Sequence, residues 1–157
     1  MKKERQVSKL LQAASRGDAK TIQGFDGDVN ITDQYGFTPL MYAVAGGHFK
    51  AALSLIKKGA DVNMSDPEDS TSLLIAVKKG HLKLCKLLLR KGATPDISDH
   101  DSIPAIDLAP NDEIKQLLIT WKSTFPTQTS KYLSYSSRGD ITLRKSVTKK
   151  IFCLLYR

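Results

Sequence analysis

A register of 33 residues runs through this chain. Much of the stretch GFTPLMYAVAGGHFKAALSLIKKGADVN, residues 36–63, reappears after a single period. Thr38 returns as Thr71, Leu40 as Leu73, Ala43 as Ala76, and Gly47-His48 as Gly80-His81. Leu55 returns as Leu88, and Gly59-Ala60 as Gly92-Ala93. Self-similarity at a fixed spacing means equivalent supersecondary units in a row, because each unit carries the same local instructions.

Those instructions are legible residue by residue. Thr38-Pro39 reads as a helix start: the hydroxyl can accept from an orphan amide, and proline stands where no amide is needed. Leu40, Ala43 and Val44 fall at helical spacing, and Gly46-Gly47 closes a first helix of about two turns. A second helix from Phe49 carries Ala52, Leu55 and Ile56 on one face. Lys57-Lys58 suit its negative end, and Gly59 suits a left-handed stop. Helices this short bury too little apolar area alone, so the units must stack.

The segment Thr38-Pro39-Leu40-Met41-Tyr42-Ala43, with a period near 33, resembles the T-P-L-H-x-A opening of the ankyrin repeat. The resemblance implies an all-α solenoid of helix-turn-helix repeats joined by short hairpin loops, about four units including degenerate caps. On this reading residues 1–5 are a charged extension, and the repeats span 6–32, 33–65, 66–98 and 99–121. The first unit keeps Leu10 to Asp18 as helix and turn, then a shortened second helix near Ala19 to Phe25 that contains Gly24. The third departs from the pattern twice: Ser72 replaces the helix-start proline, and Asp69 stands where Gly36 does. If that position needs a positive φ, aspartate tolerates it at a cost. Its second helix is regular over Leu82 to Lys91, with Leu84, Leu87 and Leu88 on the apolar face. In the last unit Ser102 to Ala109 aligns with Asp69 to Ala76. Asn111 then replaces the Gly-His turn as cap for a closing helix bearing Ile114, Leu117, Leu118 and Trp121.

From Lys122 the grammar stops and serine and threonine become dense. Residues 122–157 hold Lys122, Lys131, Arg138, Arg144, Lys145, Lys149, Lys150 and Arg157 against Asp140 alone. That segment carries +7 of the chain's formal +8, leaving +1 for residues 1–121. A basic tail of this composition is expected to be disordered on its own. No apolar run approaches the ~18 residues of a membrane span. The N-terminal residues lack the apolar core of a signal peptide. Cys85 and Cys153 form neither a disulfide framework nor a metal spacing, which fits a reduced intracellular protein, cytoplasmic or nuclear. Cys85 falls in the apolar row of its helix and reads as a buried thiol.

Nothing here points to catalysis. No Gly-rich phosphate loop, HExxH, GxSxG or CxxC occurs. Arg138-Gly139-Asp140 matches an integrin tripeptide by chance, and Cys153 lies too far from the end for prenylation. His48 and His81 share one repeat position, where the resemblance implies a hydrogen-bonding role between neighbouring repeats. No metal, cofactor or small-molecule substrate is expected.

The resemblance implies instead a monomeric adaptor that binds one or more proteins on its concave surface. The family's variable surface positions fall on Gln34, Tyr35, Phe37 and Ala45; on Pro67, Glu68, Ser70, Lys78 and Lys79; and on His100, Asp101 and Ile103. Met41 and Leu74, followed by Asp107, stand where the family often has histidine, and they join this surface. Tyr35 and Phe37 are the expected anchors, since exposed aromatic side chains dominate interfaces. The alternative is a function led by the basic tail, binding nucleic acid or an anionic membrane with the repeats as scaffold; Ile151, Phe152, Leu154, Leu155 and Tyr156 beside Lys149-Lys150 would suit a membrane surface. The resemblance also makes Asn63 a candidate for asparaginyl hydroxylation, with Leu55 eight residues before it and Asp61-Val62 directly preceding. Asn30 lacks the leucine, and the Asn63 amide is expected to hydrogen-bond locally.

Overall fold

The computed structural model describes residues 2–98 and 100–124. Seven helices occur in this range: α1 Lys2–Arg16, α2 Ala19–Gln23, α3 Pro39–Ala45, α4 Phe49–Lys57, α5 Ser72–Lys78, α6 Leu82–Arg90 and α7 Asp112–Thr124. Among the described residues none is long and apolar enough to cross a membrane. Most of the basic tail, from residue 125, lies outside the described residues.

The helices form two layers. α1, α3 and α5 pack side by side as an inner layer; α2, α4 and α6 pack behind them, and α7 continues the outer row. One apolar core runs the length of the stack, from Leu10, Ala14 and Ile22 through Leu40, Leu55, Leu73 and Leu88 to Ile114 and Leu118. Residues 2–5 lie within α1.

The start signals act as expected. The Thr38 and Thr71 hydroxyls accept from the amides of Met41 and Leu74, at 3.2 and 3.3 Å. Asn111 Oδ1 accepts from the Ile114 amide at 3.1 Å and starts α7. Gly24, inside the expected second helix, instead follows α2 as its C-cap.

The hairpins answer the question raised by Asp69. Gly36, Asp69 and Ser102, spaced by the repeat, adopt φ of 82°, 59° and 62°. A left-handed residue is therefore built into each of these three hairpins, and the later two accept side-chain strain there. At Gly36 a side chain is also excluded sterically, since a Cβ would lie 2.5 Å from Pro67 Cδ.

The fourth unit differs from its alignment. Its hairpin closes, with a bridge from Ser98 to Pro104 matching Ser65 to Thr71. Its first helix is replaced by a turn, in which the Asp107 amide donates to the Pro104 carbonyl at 2.9 Å. Pro104 stands at the position where Thr38 and Thr71 cap, and it has no hydroxyl to offer. Pro110 disfavours helical backbone at Ala109, so the stretch closes a single i→i−4 bond, the Leu108 amide to the Pro104 carbonyl at 3.4 Å, and goes no further.

Candidate binding surface

Each of the first two hairpins is organised by one aspartate. Asp33 Oδ1 accepts from the amides of Tyr35 and Phe37, both at 2.9 Å, while Oδ2 accepts from the Tyr42 hydroxyl at 2.6 Å. Burial disfavours its charge, yet the Tyr42, Phe37 and Tyr35 donors outweigh that and hold the Asp33 pKa below the usual carboxylate value. The same hydrogen bond, reinforced by burial and the Asp33 charge, raises the Tyr42 pKa. Asp66 repeats the arrangement with the amides of Glu68 and Ser70, at 2.9 and 2.8 Å. Ile75 stands one period after Tyr42, so this second hairpin has no equivalent hydroxyl lock.

The two aromatic candidates separate. Tyr35 stands out at the hairpin tip, 66% exposed. Phe37 is half-buried, its ring 5.7 Å from that of Tyr42 in a tilted stack. Beside Tyr35 opens a groove whose floor is the exposed side of α1, with Val7, Leu11 and Gln12 facing Thr32, Gln34 and Tyr42. The α1 residues were missed because the first unit read as a cap. The signal was Val7 and Leu11, four apart, an apolar pair additional to the buried Leu10 and Ala14. A smaller cavity lies at the far end, between the closing loop at Ile97 and Ile106 and α7 at Leu118 and Ile119.

Of the remaining expected surface residues, Gln34, Pro67, Glu68, Lys78, Lys79, His100, Asp101, Ile103 and Asp107 are exposed, and Ala45 and Ser70 are half-buried. Met41 and Leu74 are not surface residues at all. Both are fully buried. Each occupies the third position of an inner helix, where the side chain turns inward among neighbouring inner helices; Met41 Sδ even accepts from the Thr38 amide at 3.4 Å. Asp107, in the same register, escapes burial because the fourth unit forms no helix there.

A family model described as ankyrin repeats, in three copies, matches residues 10–99, more than half of the chain. The chain belongs to the ankyrin-repeat family. No curated protein matches it. Ankyrin repeats generally serve protein–protein interaction, and the groove beside Tyr35 lies where inner helix and hairpin tip meet in such a stack.

The polar bridges between these ankyrin repeats account for the other candidates. Asn63 Nδ2 donates to the Gly92 carbonyl at 3.1 Å, and its Oδ1 accepts from the Thr94 amide at 2.9 Å. Asn30 does the same one repeat earlier, donating to Gly59 O at 3.2 Å and accepting from Asp61 N at 2.8 Å. The expected local role of the Asn63 side chain is thus corrected: it ties two repeats together. One period on, Asp96 meets Lys122 of α7 at 2.9 Å. His48 Nε2 donates to Ser15 O in the preceding repeat at 3.0 Å, as the resemblance implied. The His81 ring packs over Gly47, where a Cβ would come within 3.0 Å. Cys85 is fully buried, and desolvation pushes its thiol up to about 12.

Proposed function

We propose that this protein is a non-catalytic adaptor that holds a segment of a partner protein against its concave surface. The observation that carries the proposal is Tyr35. A large aromatic side chain stands two-thirds exposed beside an open groove, on a hairpin fixed by three hydrogen bonds to Asp33. A rigid aromatic on a pre-set loop loses little entropy on binding, which is how hot-spot residues gain affinity. Gln34, Glu68, Asp101 and Ile103 continue the surface along the hairpin row, and an intracellular setting suits the buried free thiol.

Affinity capture with the full chain, beside its Tyr35→Ala form, tests this. Tyr35→Ala is expected to weaken capture of the partner by about 2 kcal/mol while leaving the melting temperature unchanged. Phe37 is left intact because its stack on Tyr42 supports the hairpin itself. Undiminished capture by the variant would refute the role. Asn63 hydroxylation is part of the same proposal. Because the Asn63 amide bridges two repeats, the modifying enzyme must act on a locally opened state, and a gain of one oxygen on that peptide in mass spectrometry is the expected readout.

A further inference from the structure

The near-zero net charge of residues 1–121 conceals a separation of charge across the stack. The hairpin edge contains no lysine or arginine over residues 32–37, 65–71 and 100–104, and carries Asp33, Asp66, Glu68, Asp69 and Asp101. The outer layer is the reverse. The helices α2, α4 and α6, reading AKTIQ, FKAALSLIK and LKLCKLLLR, contain no acid at all. Their cations repeat by position. Lys20, Lys50 and Lys83 each stand second in their helix, and Lys57 and Arg90 each stand last. Lys83, Lys86 and Arg90, spaced i, i+3 and i+7, form a continuous exposed stripe on α6. All of these side chains are exposed, and the helices that bear them pack side by side, so the stripes merge into one face. Acids border it on the adjoining loops: Asp18 caps α2, Asp26 and Asp28 follow α2, Asp61 lies four residues after Lys57, and Asp112 and Glu113 open α7.

Apolar groups are interleaved with these cations. Phe49 is 40% exposed at the start of α4, and Leu53, Ile56 and Leu82 are half-exposed on the same layer. The two cavities described above are lined by other residues.

We infer that the outer face of α2, α4 and α6 docks on an anionic phospholipid surface, with the lysine and arginine heads on lipid phosphates and Phe49 entering the headgroup layer. Charge decides that the partner is anionic; the interleaved apolar groups decide that it is lipid. Single-stranded nucleic acid would reward a groove with stacked aromatics; a duplex would be held through its phosphates and leave the interleaved apolar groups unused. A headgroup layer accepts both parts at once, since long basic side chains lay their stems along apolar surface and keep their charge in the polar zone. Each cation near an anionic membrane contributes severalfold in partition. Because the concave groove lies on the opposite layer, a partner segment and a membrane can be held together.

The test is co-sedimentation of the full chain with phosphatidylcholine vesicles and with phosphatidylcholine–phosphatidylserine vesicles, at low and raised salt. Wild type is expected to partition onto the anionic vesicles only, and raised salt should release it. Lys83→Gln, Lys86→Gln and Arg90→Gln together are expected to lower that partition about a hundredfold. Tyr35→Ala should leave it unchanged. Circular dichroism controls for folding, and Lys50→Gln with Lys57→Gln provides a second variant on another helix. Phe49→Trp, made together with Trp121→Phe so that no other tryptophan emits, supplies a readout independent of the charged tail: its emission should move to shorter wavelength with anionic vesicles. Partition of the triple variant equal to wild type would place the binding in the tail and overturn the inference. Unmoved Phe49→Trp emission, or tighter binding of a DNA duplex than of anionic vesicles at matched salt, would overturn it as well.

Discussion

Removing one hydroxyl tests how the Tyr35 hairpin is held. Tyr42→Phe deletes the donor 2.6 Å from Asp33 Oδ2 and leaves the ring stacked on Phe37. A hydrogen bond to a charged acceptor contributes about 1.5–3 kcal/mol. Asp33 and Tyr42 are both half-buried, so solvent competes for the pair and about 1–2 kcal/mol is expected here. The pH dependence gives the sign. Folding lowers the Asp33 pKa, so its contribution is complete above the ordinary carboxylate pKa and is lost as pH falls through the lower folded value. Folding raises the Tyr42 pKa, so that contribution is complete below the ordinary tyrosine pKa and is lost as pH rises through the higher folded value. Urea unfolding of wild type and variant should therefore differ most between about pH 5 and pH 9, and converge toward both extremes. Hydrogen exchange at the Tyr35 and Phe37 amides should quicken in the variant over the same window. A stability difference that stays constant from neutral pH into the acid range would refute the hydrogen-bond account and assign the loss to packing.

Three other outcomes are expected. Ser102→Gly should raise stability by up to about 1 kcal/mol by relieving side-chain strain at φ 62°, whereas Gly36→Ala should lower it, since its Cβ would strike Pro67; thermal melts read both signs. Leu55→Ala, at a fully buried position in the middle of the stack, should cost about 2–5 kcal/mol in urea unfolding, far above any effect of Tyr35→Ala. Cys85, buried and with its thiol pushed up to about 12, should resist a thiol reagent at neutral pH until the chain is unfolded in urea; prompt labelling of Cys85, located by peptide mapping, would refute its burial.

The period and the hydroxyl caps were readable from the chain alone, and Asp69 in the place of Gly36 raised the question of a positive φ. Each depends on a few neighbouring residues: Thr38 and Thr71 reach an amide three positions on, and Asp69 and Ser102 inherit the φ of Gly36 because the same turn recurs. The closing helix was likewise marked by Asn111 and the acids after it. What neighbours in space decide was not readable. Met41 and Leu74 look like surface positions in register, but packing between adjacent inner helices buries them. Tyr35 and Phe37 sit two apart on one loop, and only the place of the Tyr42 ring divides them into an exposed anchor and a supporting stack. The fourth unit read as a closing cap that aligned with the third over Ser102 to Ala109, yet Pro104 and Pro110 leave that stretch a turn. The Asn63 amide serves the next repeat because Gly92 and Thr94 are brought beside it by stacking. The near-zero charge of residues 1–121 concealed their distribution; the two-layer stack, by turning alternate helices outward, placed Lys50, Lys57, Lys83, Lys86 and Arg90 together on its outer layer.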